Sequence, residues 1–353
     1  MNGERPRIPI GRVEDLERQK ETLPGTIVKN ETIWVNDEIN EFDLEKGKPA
    51  RLGTFLNPRD DDPDSVPLEV RYGHHRSGII TRRIFHDDKQ WYRDVRLKGI
   101  GFMTMDKENY STKSIVKPIY RMRAGYLGGI LKYKSAKWSA EWDEGFYEAG
   151  IRTDRVMAII RLLEYIDENG DKQPIDELKK KFIVHRDFDP VVEVDAFGTI
   201  TRINEVIKDK DEAQLLLDDA RILVAEELGI KPDQFSFHDY LLWFAQNLGR
   251  NISLMHKNGW IHQNLTMENS HHINITLDCR IVDKDTVYDV YEKPLEKPVI
   301  EKAFIKDIDQ ADEASAILYN DVKEYSGQGQ QLADEQVYRA AFEEAYDKVT
   351  DEQ

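Results

Sequence analysis

The chain has 353 residues, with 50 Lys+Arg against 67 Asp+Glu for a net charge of −17, and 40% of it is hydrophobic. That length suits one large two-lobed domain or two ordinary ones, and the acidic balance excludes a general nucleic-acid or membrane-surface binder, which needs a basic excess or patch. A single cysteine, Cys279, rules out an intramolecular disulfide or a Cys-rich zinc module, and the lack of an apolar leader or bilayer-length apolar run predicts a soluble, cytoplasmic protein.

Residues 1–70 are rich in Pro, Asp and Glu, with short apolar runs such as Thr32-Ile33-Trp34-Val35. The stretch Asn57-Pro58-Arg59-Asp60-Asp61-Asp62-Pro63-Asp64 reads as an exposed loop, because neighbouring acids repel and proline breaks regular structure. Strand patterns start near Leu68. Gly78–Phe85 is one, and Trp91–Lys98 is another, whose alternation puts Val95 and Leu97 on one face. A helix is predicted across about 135–149, with Trp138, Trp142 and Phe146 packing at helical spacing and Gly150 as its stop. Val156–Ile166 is strongly apolar, Asp167–Asp171 is a turn, and Phe182-Ile183-Val184 reads as a strand.

The second half is mainly helical. Helices are predicted at Glu212–Leu228, stopped by Gly229, and at Phe237–Lys257, stopped by Gly259. Ile273–Leu277 and Arg280–Val282 suggest a small hairpin about Asp278-Cys279, and the tail from about 300 is helical and acidic. This order predicts an α+β, two-lobed protein-kinase-like fold with a β-rich N-lobe and a mainly helical C-lobe. Its segments would be an N-terminal extension at 1–67, an N-lobe at 68–185, a C-lobe with the catalytic loop at 186–300, and a helical acidic segment at 301–353.

The most informative stretch is His256–Asn269, where a long helix ends and polar groups crowd a short loop: His262-Gln263-Asn264-Leu265-Thr266-Met267-Glu268-Asn269. Asp278 follows nine residues on, then Asp283 and Asp285. Phosphoryl and nucleotidyl transfer need an amide and a carboxylate to hold Mg²⁺ on the phosphates, and a carboxylate to orient the attacking hydroxyl. A strand lysine pinned by a helix glutamate would supply countercharge, and Lys98 with Glu144 fits that description.

Arg71-Tyr72-Gly73-His74-His75, Leu97-Lys98-Gly99-Ile100-Gly101, Glu144 with Ala149–Arg155, and His262–Asp278 occur in an order that resembles the selenoprotein O family of kinase-like protein adenylyltransferases, over roughly residues 68–290. The resemblance implies ATP bound in an inverted pose and AMP moved to a hydroxyl acceptor on a protein or small molecule. Carried over by position, Lys98 with Gly99 and Gly101 would contact phosphate, Glu144 would hold Lys98, Arg186 would bind phosphate, and Asn269 with Asp278 would hold Mg²⁺ or Mn²⁺. The sequence departs from that pattern in four places. Glu268 stands where the family has its catalytic Asp, a D-G-R motif is replaced near Gly128-Gly129-Ile130, a second phosphate-binding Arg has no match, and the family's C-terminal Cys or selenocysteine is absent.

A second register is open. His262-x-Asn264-(x4)-Asn269 is similar to the H-x-D-(x4)-N of aminoglycoside-kinase-like enzymes, with Asn264 in place of the base, and Ile281-Val282-Asp283 would then be the metal strand. Asp278 is preferred on its gapless spacing from Asn269. The Asp283 register points to γ-phosphoryl transfer, and the lost base residues suit a nucleotide-binding pseudokinase scaffold. Plainer roles compete as well: Asp278 as a turn residue, His262 as a brace for the loop, and Cys279 as inert core, since no local His-Asp support is identifiable. Gly99-Ile100-Gly101 is no Rossmann fingerprint, lacking the third glycine.

Overall fold

The computed structural model describes residues 20–57, 59, 62–63, 65–71, 77–80, 85–101, 130–167, 169–181, 184–206, 212–266, 272–292, 295–326 and 331–351. The chain divides into two compact units, one holding residues 17–140 and 156–197, the other residues 141–155 and 198–353.

The first unit is built on strands β1 (Lys20–Ile27), β2 (Asn30–Val35), β3 (Thr54–Leu56), β4 (Ser65–Arg71), β5 (Ser77–Ile80), β6 (Phe85–His86), β7 (Trp91–Tyr92), β8 (Asp94–Lys98), β9 (Leu131–Lys132), β10 (Arg155–Leu162), β11 (Glu164–Ile166), β12 (Lys172–Pro174) and β13 (Pro190–Phe197). Helix α1 (Tyr133–Glu148) lies between β9 and β10, its first half in this unit and its second in the other, and the short α2 (Ile175–Lys180) follows β12. The main antiparallel sheet runs β2-β10-β13-β8-β5-β4-β1-β3, with β9 also on β13. Strand β8 shows what fixes the register. Val95 and Leu97, at 1% and 2% exposure, enter a core with Val192, Val194 and Ala196 of β13, while Arg96 and Lys98 alternate onto the other face. A one-residue slip would bury two cations in that core.

The second unit contains α3 (Ile203–Val206), α4 (Ala213–Glu227), α5 (Phe237–Lys257), β14 (Trp260–Ile261), β15 (Tyr288–Asp289), α6 (Lys297–Tyr325) and α7 (Glu335–Asp351). Helix α5 opens with a capping box, in which Ser236 Oγ accepts from Asp239 N and the Asp239 carboxylate accepts from Ser236 N. Its apolar stripe of Leu241, Phe244, Leu248, Ile252 and Met255 is buried with Leu216 and Val224 of α4, Leu318 of α6 and Phe342 of α7.

Helices predicted at 135–149, 212–228 and 237–257 are found at Tyr133–Glu148, Ala213–Glu227 and Phe237–Lys257. The segment boundaries differ. Strand β1 pairs with β4 from Lys20↔Arg71 to Thr26↔Ser65, so strands from residues 1–67 are built into the sheet of the 68–185 segment and do not form a separate extension. The break expected at 185 falls at Phe197/Gly198, because β13 completes the sheet first. Trp138, expected in the helix-packing core, is 38% exposed. Of the strand expected at 182–184, Phe182 and Ile183 lie outside the described residues and Val184 sits in a bend.

Candidate functional site

Helix α5 delivers the chain to β14, and the loop that follows is clamped by one face of α6. Asp307, fully buried, accepts from His262 N at 2.9 Å and Gln263 N at 3.1 Å. Gln310 Oε1 accepts from Leu265 N at 3.0 Å, Gln310 Nε2 donates to Thr266 O at 2.6 Å, and Lys306 Nζ donates to Gln263 O at 2.8 Å. So many bonds over-determine the backbone, which lets Gln263 stay left-handed at φ 68°. Among the described residues four non-glycines have positive φ: Gln263 in this loop, Cys279 and Asp283 in later turns of the same unit, and Asp43 elsewhere. Strain such as that at Gln263 is a mark of sites where geometry serves chemistry.

His262 is the brace that the sequence suggested. Its Nε2 lies 3.1 Å from Val282 O, tying the loop to the Ile281-Val282 segment. Burial pulls the imidazole below its ordinary range against the nearby charges of Asp307 and Asp283, so it stays neutral near pH 7. Asp283 comes directly after, partly exposed, at φ 63° and ψ 51°.

Asp278 stands in a different environment. It is 0% exposed. Its Oδ1 accepts from Thr276 Oγ1 at 2.6 Å, and its Oδ2 accepts from Arg280 Nε at 2.7 Å and lies 3.4 Å from Arg152 Nη2. Arg152 Nε also donates to Asp278 O at 2.7 Å, and its other nitrogens fork onto Glu227. Burial works to raise the Asp278 pKa, but the two guanidiniums and the Thr276 hydroxyl hold it below the usual carboxylate range. A Cβ on Gly198 would fall 2.0 Å from Asp278 Oδ2, so the carboxylate is covered on that side as well. This corrects the expectation for Asp278: both oxygens serve a buried ion-pair network in which a divalent cation would meet two arginines.

The lysine–glutamate pairing is corrected too. Lys98 Nζ donates to Glu193 Oε1 at 3.1 Å, directly across the β8–β13 register. Glu144 instead takes Arg155, whose Nε and Nη2 donate at 2.9 and 2.5 Å. Cross-strand neighbours are fixed by sheet register, whereas a helix acid has no such constraint, which explains why the sheet supplies the partner.

Glu193 and Asp195 sit on one face of β13, both 1% exposed, opposite Lys98 and Arg96. Burial and the Asp195 charge push the Glu193 carboxyl up to about 8, with Lys98 and Arg96 opposing. A raised folded-state pKa means stability that is complete below the unfolded value of about 4.5 and lost as pH climbs to about 8. Thermal melts between pH 5 and 9 should therefore show a falling stability that Glu193→Gln removes. Superimposable profiles for the two proteins would contradict this titration.

Arg186 lines a cavity of about 600 Å³ with Lys29, Arg161, Lys179, Glu164 and Asp189, a mixed-charge hollow within the sheet unit. Gly99, at φ 100°, and Gly101 follow Lys98 into a turn packed on Val191 and Leu56. Cys279 is buried and its thiol is pushed up by burial, in keeping with inert core. Glu268, Asn269, Gly128, Gly129, His74 and His75 lie outside the described residues. Asp307 and Glu193 were missed from sequence, although each left a trace. Asp307 continues the α6 apolar stripe of Ala311, Ala314, Leu318 and Val322, and Glu193 interrupts the apolar run Val191–Phe197.

No protein-family model matches the chain, and no curated protein matches it.

Proposed function

We propose that the protein is an ATP- and Mg²⁺-dependent transferase of two-lobed, protein-kinase-like fold that moves the γ-phosphoryl group to a hydroxyl of a small molecule or protein. One observation carries the reading: a strained loop, His262–Thr266, pinned by Asp307 and Gln310 and braced through His262 to the segment ending in left-handed Asp283. Transfer chemistry of this kind is mostly positioning and charge neutralisation, and it rewards a backbone held in one arrangement. The order of elements adds support, since a strand ending in Lys98 is followed by helix α1, strands β10 and β13, helices α4 and α5 and then the loop.

For the metal, Asp283 fits where Asp278 does not, being a partly exposed hard-oxygen donor while Asp278 is already bound to two arginines. Mg²⁺ held by Asp283 and Asn269 would neutralise charge on the phosphates. The sequence resemblance assigns Lys98 to phosphate and Glu268 to the acceptor hydroxyl. The hydroxyl oxygen forms a bond to the γ-phosphorus, the β–γ bridging P–O bond breaks, ADP leaves with the bond electrons, and the hydroxyl proton passes to Glu268 or solvent. AMP transfer rested on Asp278 as the ligand, so it becomes the alternative outcome here. A nucleotide-binding scaffold is the second reading, favoured by Asn264, an amide at the position of the base.

The test is incubation with ATP labelled at the α or the γ phosphate, with Mg²⁺ and with EDTA, following label on the protein itself and on added hydroxyl acceptors. Transfer from γ alone, lost with EDTA and in Lys98→Met, is the expected result. Transfer from α alone would replace it with adenylylation. Nucleotide-dependent thermal stabilisation with neither label transferred would favour the scaffold.

A further inference from the structure

Helix α7 meets α5 through aromatic residues at intervals of four, Tyr338, Phe342 and Tyr346. Tyr338 OH is 2.8 Å from His238 Nδ1, and Tyr346 O accepts from Ser253 Oγ at 2.7 Å. Between them Gly249 lets the helices approach, since a Cβ there would fall 2.3 Å from Phe342 O. At the end of this seam the Tyr346 hydroxyl lies 2.9 Å from His256 Nδ1. The His256 side chain is 3% exposed and stacks on Phe304 with ring centroids 4.1 Å apart. His256 Nε2 lies 3.5 Å from Asp307 Oδ2, a close contact that is not a hydrogen bond.

The same Oδ2 accepts from His262 N, and Oδ1 accepts from Gln263 N. We propose that Tyr346 and His256 are positioning residues for the loop: docking of α7 orients His256, His256 orients the Asp307 carboxylate, and Asp307 holds His262 and Gln263 in the strained conformation. Such a route makes the loop sensitive to anything that lifts α7 from α5. The chain of contacts runs from half-buried Tyr346 through buried His256 and Asp307, and those three side chains join an element remote in sequence to the loop. That the loop faces the acceptor rests on the function proposed above. The coupling itself does not, and it can be read without nucleotide.

The experiment is amide hydrogen exchange on the full chain, without ligand, in wild type, Tyr346→Phe, His256→Phe and the double variant. Both substitutions keep an aromatic ring in place and remove polar atoms. Exchange at the His262 and Gln263 amides should rise by about tenfold in each single variant, with α5 amides unchanged. The double variant should equal the singles, because both interrupt one route. Asp307→Asn serves as a reference for full loss of the clamp. Unchanged loop exchange in Tyr346→Phe, or effects of the two changes that simply add, would overturn the proposal. A protein that shows the coupling yet fails the labelled-ATP assay would retain this inference and lose the functional one.

Discussion

Asp283→Ala is expected to abolish Mg²⁺-dependent transfer and leave the fold intact, whereas Asp278→Ala is expected to unfold the protein more readily. The separation follows from surroundings. Asp283 is partly exposed and left-handed, whereas Asp278 is fully buried. Losing a metal's ligand removes charge stabilisation worth several kcal/mol in the transition state, about a thousandfold in rate. Asp278 is buried between Arg280 and Arg152. Its removal leaves Arg280, itself 0% exposed, without its carboxylate, and breaking such a pair costs about 3–5 kcal/mol. Urea denaturation beside the γ-label assay reads both effects. Loss of transfer at constant stability in Asp278→Asn, with Asp283→Ala still active, would reverse the assignment and restore the adenylylation register.

The Asp278 network also titrates in a defined direction. Its folded pKa is depressed, so its contribution is present above the unfolded value and lost as pH falls through the folded one. Acid is therefore expected to weaken the network, and alkali is not.

Local pattern carried far in this chain where one neighbour decides the outcome. The alternation of Val95 and Leu97, the apolar stripe of Phe237–Lys257 and the turn at Asp278-Cys279 all depend on residues close in sequence, and the structure has them. Partner choice was hidden because it depends on register between distant segments. Glu144 had the residue type expected to face Lys98, but Lys98 pairs with Glu193, 95 residues away, by the β8–β13 register. Asp278 drew attention by its spacing from Asn269, yet spacing is blind to Arg152, which approaches from 126 residues upstream. Asp307 fell in a stretch legible only as an acidic helix. Its role emerges when the apolar stripe is extended one turn back and an acid is found on it.

Lys284→Met is expected to be the most damaging single change near the site. The Lys284 ammonium is 1% exposed, 2.6 Å from Asp143 Oδ1, in contact with Asp154, and 2.7 Å from Thr153 Oγ1. Burial works against the charged form, yet the two acids more than compensate and hold its pKa above the ordinary lysine range. With a raised folded-state pKa, the contribution is complete below the unfolded value and disappears only as pH rises through the folded one. The Lys284 contribution in the wild type should therefore be constant from about pH 6 to 9. Methionine leaves two buried carboxylates without their shared cation, a loss of about 3–5 kcal/mol. Combining Lys284→Met with Asp143→Asn and Asp154→Asn removes all three charges and should recover much of that loss, because neutral replacements of a buried ionic cluster are often tolerated. If the triple variant is no more stable than the single, the damage lies in lost packing and not in stranded charge. Lys284 also begins the turn 284–286 that Asp283 caps. The bonds from His262 to Val282 O and from Thr286 Oγ1 to His262 O remain in the triple variant and keep the segment on either side of Asp283 in place.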